Sequence, residues 1–254
     1  MNRTFVFGLI SVFMLFTGCA TKDAAQQQAA SYQDPKDPFE PVNRALWDFN
    51  YDVLDEYILR PVTITYVDYM PQFARTGLLN AAENLEEPSY ALNNLLQGKI
   101  DGTFISLARF LLNSTVGLLG TIDVASEIGL QVEEEEFGEV LGKWGVSTGP
   151  YLMIPAMGPS DVRSSVGDVV DGAYSPLDSL NFYLTLLRSG IKAIESRASV
   201  IEQEQQLANS TDPYAFVKSA YFQNLEYKVN DGEVKQSAEE AALDDDLDAF
   251  LDGL

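Results

Sequence analysis

The chain has 254 residues, with 16 Lys and Arg against 38 Asp and Glu, no histidine and a net charge of −22. Phosphate backbones repel so acidic a chain, so nucleic acid is ruled out as a partner, and anionic lipid attracts it little; any lipid contact must be apolar. Without histidine there is no Ser-His-Asp or Cys-His catalysis, and the commonest metal ligand is missing. Carboxylate-only chemistry stays open, and neither a cofactor nor a metal site is expected. The length suits one large domain or two small ones.

Residues 1–18 read as a secretory signal peptide: Arg3, an apolar stretch from Thr4 to Phe16, then Thr17 and Gly18. The stretch is too short to cross a bilayer comfortably as a helix. The single cysteine, Cys19, follows at once, and Leu15-Phe16-Thr17-Gly18-Cys19 resembles the lipobox of bacterial lipoproteins. That resemblance implies diacylglycerol on the Cys19 thiol and an acyl chain on its freed amine. One acyl chain holds a protein only marginally, whereas several make release negligible. Ala20, in place of the Asp that retains enterobacterial lipoproteins at the inner membrane, implies the outer membrane. Residues 19–38 read as a lipidated, flexible, polar tether.

Val42, Leu46, Phe49, Val53 and Tyr57 then fall on one helical face, with Arg44, Asp48, Asp52 and Asp55 on an expected wet face and Pro61 as the stop. Two more helices are expected, from about Pro71 to Leu85 and from Ser89 to Gln97, the second closed by Gly98. "IDGTFISLARFLLNSTVGLLG" is the most apolar part of the mature chain, yet it carries Arg109. No mature segment is apolar for the roughly 18 residues a spanning helix needs. The run Glu133–Glu136 reads as a solvated turn or helix start.

Residues 138–163 hold Gly or Pro too often for a continuous helix or strand, and within them 149–159 reads as an irregular but strongly apolar loop. Leu177, Leu180, Leu184, Leu187, Ile191, Ile194, Ala198 and Ile201 predict a helix over 176–207, apolar all round in its first half. A last helix is expected from Pro213 to about Glu226. Residues 229–254 form an acidic tail, disordered or weakly helical. With no strand alternation long enough for a sheet and no repeat, the expected fold is all-α, a single helical domain over 39–228.

Five stretches carry a further resemblance: "DPFEPVNRALWDFNYDVLD", "NLEEPSYALNNLLQG", "ARFLLNSTVGLLGTIDVA", "FGEVLGKWGVSTGPYLMIPAMGPSDVR" and "DPYAFVKSAYFQNLEY". In this order, over about residues 37–228, they resemble the MlaA (VacJ) lipoproteins of Gram-negative outer membranes. The resemblance implies a ring-like helical protein within the inner part of the bilayer, beside a trimeric porin, enclosing an amphipathic channel. It further implies removal of misplaced phospholipid from the outer leaflet and its transfer to a periplasmic carrier of the MlaC type, maintaining lipid asymmetry without catalysis.

A lipid path needs apolar walls and some polar groups. Leu111, Leu112, Gly117, Leu118, Leu119 and Gly120 are candidates for the wall, with core packing and turn formation as the plain alternatives. Leu152, Met153, Ile154, Pro155 and Met157 are candidates for a lip or gate. Arg109 is a candidate for a lipid phosphate or, equally, for a buried salt bridge. Trp47, Trp144 and Tyr151 suit either the bilayer interface or the core. Two rival functions differ in class. A carboxylate hydrolase could draw on Asp48, Asp52, Glu83, Glu86, Glu87 or Asp123, but no motif supplies an activating neighbour. A structural outer-membrane lipoprotein, tether or porin scaffold, would not need the apolar loop.

Overall fold

The protein is described by a computed structural model over residues 34–174, 182–201 and 204–233. Lys36–Leu254 is one compact unit. Cys19, the signal peptide, most of the tether and the tail beyond Glu233 lie outside the described residues.

α1 (Glu40–Asp48) opens with Pro41 in its first turn, where a missing N–H costs nothing. It runs directly into a π-helical stretch, Phe49–Leu59, and on into α2 (Arg60–Tyr69). Pro61 therefore does not end the helix, contrary to the sequence expectation. The wide winding carries Arg60 N–H to the Asp55 carbonyl, and Pro61 falls in the first turn of α2, where no bond is lost. The stop comes at Met70, extended at ψ 121° ahead of Pro71.

α3 (Gln72–Asn84) and α4 (Glu87–Gln97) follow as expected. Gly98 closes α4 at φ 80°: its N–H reaches the Leu95 carbonyl at 3.0 Å while Lys99 N–H reaches that of Asn94 at 2.9 Å, a Schellman cap. α5 (Ile100–Thr115) packs back against α4, and α6 (Val124–Glu127) is a single turn capped by Asp123. The glutamate run leads into a helix start, one of the two expected readings, with Glu133, Glu134 and Glu136 exposed. Glu135 is the exception: it is buried and accepts from Gln97 and Lys99, while Glu136 and Glu139 form a capping box that starts α7 (Phe137–Lys143).

The apolar loop is an ordered antiparallel hairpin, β1 (Tyr151–Ile154) with β2 (Gly158–Asp161), in register Tyr151↔Asp161 to Ile154↔Gly158. The expectation of no sheet is corrected there; the other regular elements among the described residues are helices, so the fold is all-α apart from this hairpin. Four residues a side give too short an alternation to register in the sequence, and the turn places Ala156 at φ 64°. Then come α8 (Val162–Tyr174), α9 (Phe182–Ser199), α10 (Glu204–Ala208) and α11 (Pro213–Val229). α9 stops at Ser199, short of the expected end near 207, and Leu177 and Leu180 lie outside the described residues.

The core gathers Tyr151, Met153 and Tyr214, flanked by Leu46, Trp47, Tyr221 and Phe222. Tyr151 meets Tyr214 edge-on at 6.0 Å, and Trp47 stacks on Tyr51 at 5.3 Å. Asn43 binds the hairpin into it, donating to the Tyr151 carbonyl and accepting from Met153 N–H. Buried Asp37 accepts from Asn43 and Tyr214, fixing the start of the domain.

Candidate functional site

α5 has its polarity inverted. Ile100, Phe104, Leu107 and Leu111 recur at helical spacing and are all exposed. Thr103, Ser106, Arg109 and Asn113 occupy the opposite face and are buried. A helix in water does the reverse. Arg109 is 4% exposed and pairs through Nε with Glu87, itself 2% exposed. Its other nitrogens donate to Ser126 Oγ at 3.0 Å, to the Leu130 carbonyl and to Asp123 at 3.2 Å. Burial pushes the Glu87 carboxyl up, with Arg109 opposing. Burial also acts upward on Asp123, but hydrogen bonds from Ser126, Asn113 and Arg109 outweigh it and hold the carboxyl below its ordinary value. Of the two fates weighed for Arg109, the geometry is that of the salt bridge.

Past α5 the chain makes a tight knuckle over 116–122. Gly117 and Gly120 are buried at its base. A Cβ on Gly117 would sit 2.2 Å from the Ile122 carbonyl oxygen, and Gly120 turns at φ 87° against Asn84. Between them Leu118 and Leu119 both adopt left-handed backbone, at φ 52° and 61°, and stand 66% and 79% exposed. Two adjacent leucines in that region carry strain, with their apolar side chains pushed outward. Val116 and Ile122 extend the same apolar surface; Leu111 lies on it and Leu112 is half-buried.

The hairpin candidates divide. Met153 is core, and Leu152 and Ile154 are half-buried, so at Met153 the expected lip gives way to packing. Pro155 and Met157 stand out at the tip, Met157 72% exposed. Asn50 holds this tip from the π-helical stretch, donating to the Ile154 carbonyl at 2.9 Å and accepting from Ala156 N–H at 2.8 Å. Of the three aromatic candidates, Tyr151 is buried, Trp47 packs at the core edge and Trp144 is exposed.

The sequence reading missed two parts of this surface. Phe49, Val53 and Tyr57, expected to face the core, are exposed, while Arg44 and Asp55, expected wet, pair with Asp212 and Arg197. Val162, Val166 and Val169 form another exposed stripe along α8. Both were visible as helical periodicity, but periodicity does not say which face turns outward.

A polar pocket of about 280 Å³, open to solvent on one side, lies between α4, the start of α7, α8 and α9. Its carboxylates include Glu86, Glu136 and Asp168, and its cations are Arg188 and Lys192. Lys192 pairs with Glu86, and Arg188 lies 3.8 Å from it. Burial pushes Asp168 up, reinforced by Asp171 and Asp161. Among the hydrolase candidates, Glu86, Glu87 and Asp123 are thus tied up in ion pairs.

Across the described residues, nine apolar residues are buried against sixteen polar or charged ones, and thirty-three large apolar side chains are exposed. No described helix is long and apolar enough to cross a membrane.

Comparison with known proteins bears on what this surface serves. The family model of the MlaA lipoprotein matches residues 35–228. The Escherichia coli (strain K12) intermembrane phospholipid transport system lipoprotein MlaA is 38% identical over 238 residues, 92% of either chain. A protein of the same name from Haemophilus influenzae is 35% identical over 250 residues, 97% of either chain. A solved structure described as the structural basis for maintenance of bacterial outer membrane lipid asymmetry superposes with a TM-score of 0.72 at 41% identity. That match covers 76% of this chain and 98% of the other. The inverted helix, the apolar knuckle and the polar interior are thus features of a chain that belongs to the MlaA lipoprotein family.

Proposed function

We propose that this protein, held at the outer membrane by acylated Cys19 and facing the periplasm, removes misplaced phospholipid from the outer leaflet. It passes the lipid through an amphipathic channel to a periplasmic carrier of the MlaC type, seated in the inner part of the bilayer beside a trimeric porin. The observation that carries this reading is the inverted distribution of polarity. Among the described residues thirty-three large apolar side chains are exposed, while Arg109, Glu87, Asn93 and Asn94 are buried. Hydrocarbon is a good solvent for such a surface and water is a poor one. The polar cavity adds charged groups of both signs for a zwitterionic headgroup, and the relatives named for phospholipid transport agree with it.

The test is made in cells lacking the gene. Outer-leaflet phospholipid is quantified with and without the gene restored. Accumulation that restoration reverses supports the reading. An unchanged leaflet, in cells that otherwise depend on such a pathway, would sink it and favour a tether or porin scaffold.

A further inference from the structure

A second cavity, of about 180 Å³, lies between the start of α8 and α11, beside Lys36 and Thr148. Its polar lining includes Lys36, Thr148, Arg163 and Asn230; Phe222, Leu225 and Val229 supply its apolar lining. Arg163 is 7% exposed. One of its terminal nitrogens donates to the Val146 carbonyl at 3.0 Å, and its Nε has no hydrogen-bond partner. Among the described residues no carboxylate pairs with this guanidinium.

Asp161, two residues away, is already engaged. Its Oδ1 accepts the backbone N–H of Arg163 and Ser164, and its Oδ2 accepts the hydroxyls of Ser164 and Tyr221. Space is kept for the guanidinium at Gly142, where a Cβ would lie 2.7 Å from its Nη1 and 2.8 Å from Val229 Cγ2. A buried cation with a free donor and no carboxylate paired to it is costly, and each such group needs a reason.

We propose that this cavity is a phosphate-binding site that takes the phosphodiester of a phospholipid headgroup. The site stands on its own geometry; only its assignment to lipid rests on the transport reading above. A guanidinium offers planar, paired donors that fit phosphate oxygens. Lys36 adds a second cation, with Nζ 4.9 Å from the centre of the Phe222 ring. The apolar floor suits a glycerol backbone and the first methylenes, and the small volume leaves the acyl chains outside. Exposed Glu226 also lines the cavity. It disfavours dianionic inorganic phosphate and favours a headgroup that brings its own ammonium, as phosphatidylethanolamine does.

The experiment follows thermal unfolding of the full-length protein in detergent. Three probes are titrated: dihexanoyl phosphatidylethanolamine below its micellar concentration, glycerophosphoethanolamine and inorganic phosphate. The first two should raise the Tm saturably. Arg163→Met should weaken that response by about tenfold or more, and should not lower the Tm of the ligand-free protein, because it removes an unpaired buried charge. Should that variant fold poorly, Lys36→Gln acts from the start of the domain without touching the buried group and should weaken binding severalfold.

An equal response to inorganic phosphate, lost in the same variants, would overturn the lipid assignment and leave a free-phosphate site. No response to any probe, or responses that survive both substitutions, would overturn the site itself. Loss of the outer-leaflet phenotype in the cellular test, with Arg163-dependent binding intact, would strike the transport reading alone.

Discussion

Arg109 shows how a single residue ties three elements together: it reaches Glu87 on α4, Asp123 at the cap of α6 and the Leu130 carbonyl. Charges this buried add little net stability as a set, but each depends on the others. Arg109→Met alone should therefore cost about 3–5 kcal/mol, by leaving Glu87 buried without its counter-charge. Combining it with Glu87→Gln should recover a large part of that loss, measured by chemical unfolding in detergent; additive losses would contradict the coupling. Glu139 offers a pH test. Burial, opposed by Lys228 3.2 Å away and reinforced by Glu136, pushes its carboxyl from 4.5 up to about 8. A carboxyl whose folded value is raised binds more protons folded than unfolded, so its contribution is full below 4.5 and is lost as pH rises through about 8. Glu139→Gln should flatten the fall in Tm across that window relative to the parent protein. Parallel pH profiles would mean that Glu139 titrates normally.

Local signals made the boundaries of α3, α4 and α11 legible: Pro71 before the first, Gly98 after the second, and Asp212-Pro213 at the start of the third, where Asp212 accepts from Ala215 N–H. The same signals misled at Pro61, because π-helical winding upstream absorbs a proline that would stop an ordinary helix. They were silent at the hairpin, whose strands are four residues each and whose role is set by partners far along the chain, Asn43 and Tyr214. In the candidate site, the leucines of the knuckle were readable as apolar, and Arg109 as an anomaly on a greasy helix. Which way α5 faces was not readable, since a stripe of period 3.6 looks alike in water and in lipid. The knuckle allows backbone and side chain to be separated. Asn accepts left-handed backbone better than Leu, so replacing both Leu118 and Leu119 with Asn should keep unfolding stability within about 0.5 kcal/mol or raise it. Removal of outer-leaflet phospholipid should fall toward that of the deletion strain. A loss of helicity matching the loss of activity would instead make these leucines structural.

With thirty-three large apolar side chains exposed among the described residues and a net charge of −22, the two simplest routes to a membrane make opposite predictions. If acyl chains on Cys19 were the whole of the membrane affinity, Cys19→Ser would yield a protein that stays in solution. If the exposed belt is a lipid-facing surface, the same variant, purified in detergent and moved into liposomes, should still float with them. The belt's contribution is large even on a conservative view, since each buried apolar side chain is worth about 1.5–3 kcal/mol in favourable transfer. The acidic charge supplies a second control. Binding driven by apolar contact should be as strong on neutral phosphatidylcholine vesicles as on vesicles rich in anionic lipid, and added salt should relieve repulsion in the anionic case rather than release the protein. Adding Phe104→Asp and Leu111→Asp, both on the exposed stripe of α5 and away from the buried Arg109 face, should shift the Cys19→Ser protein out of the floating fraction while circular dichroism stays helical. A Cys19→Ser protein that sediments away from neutral vesicles, soluble and folded without detergent, would place all membrane affinity in the lipid anchor and assign the exposed apolar residues to a protein–protein interface.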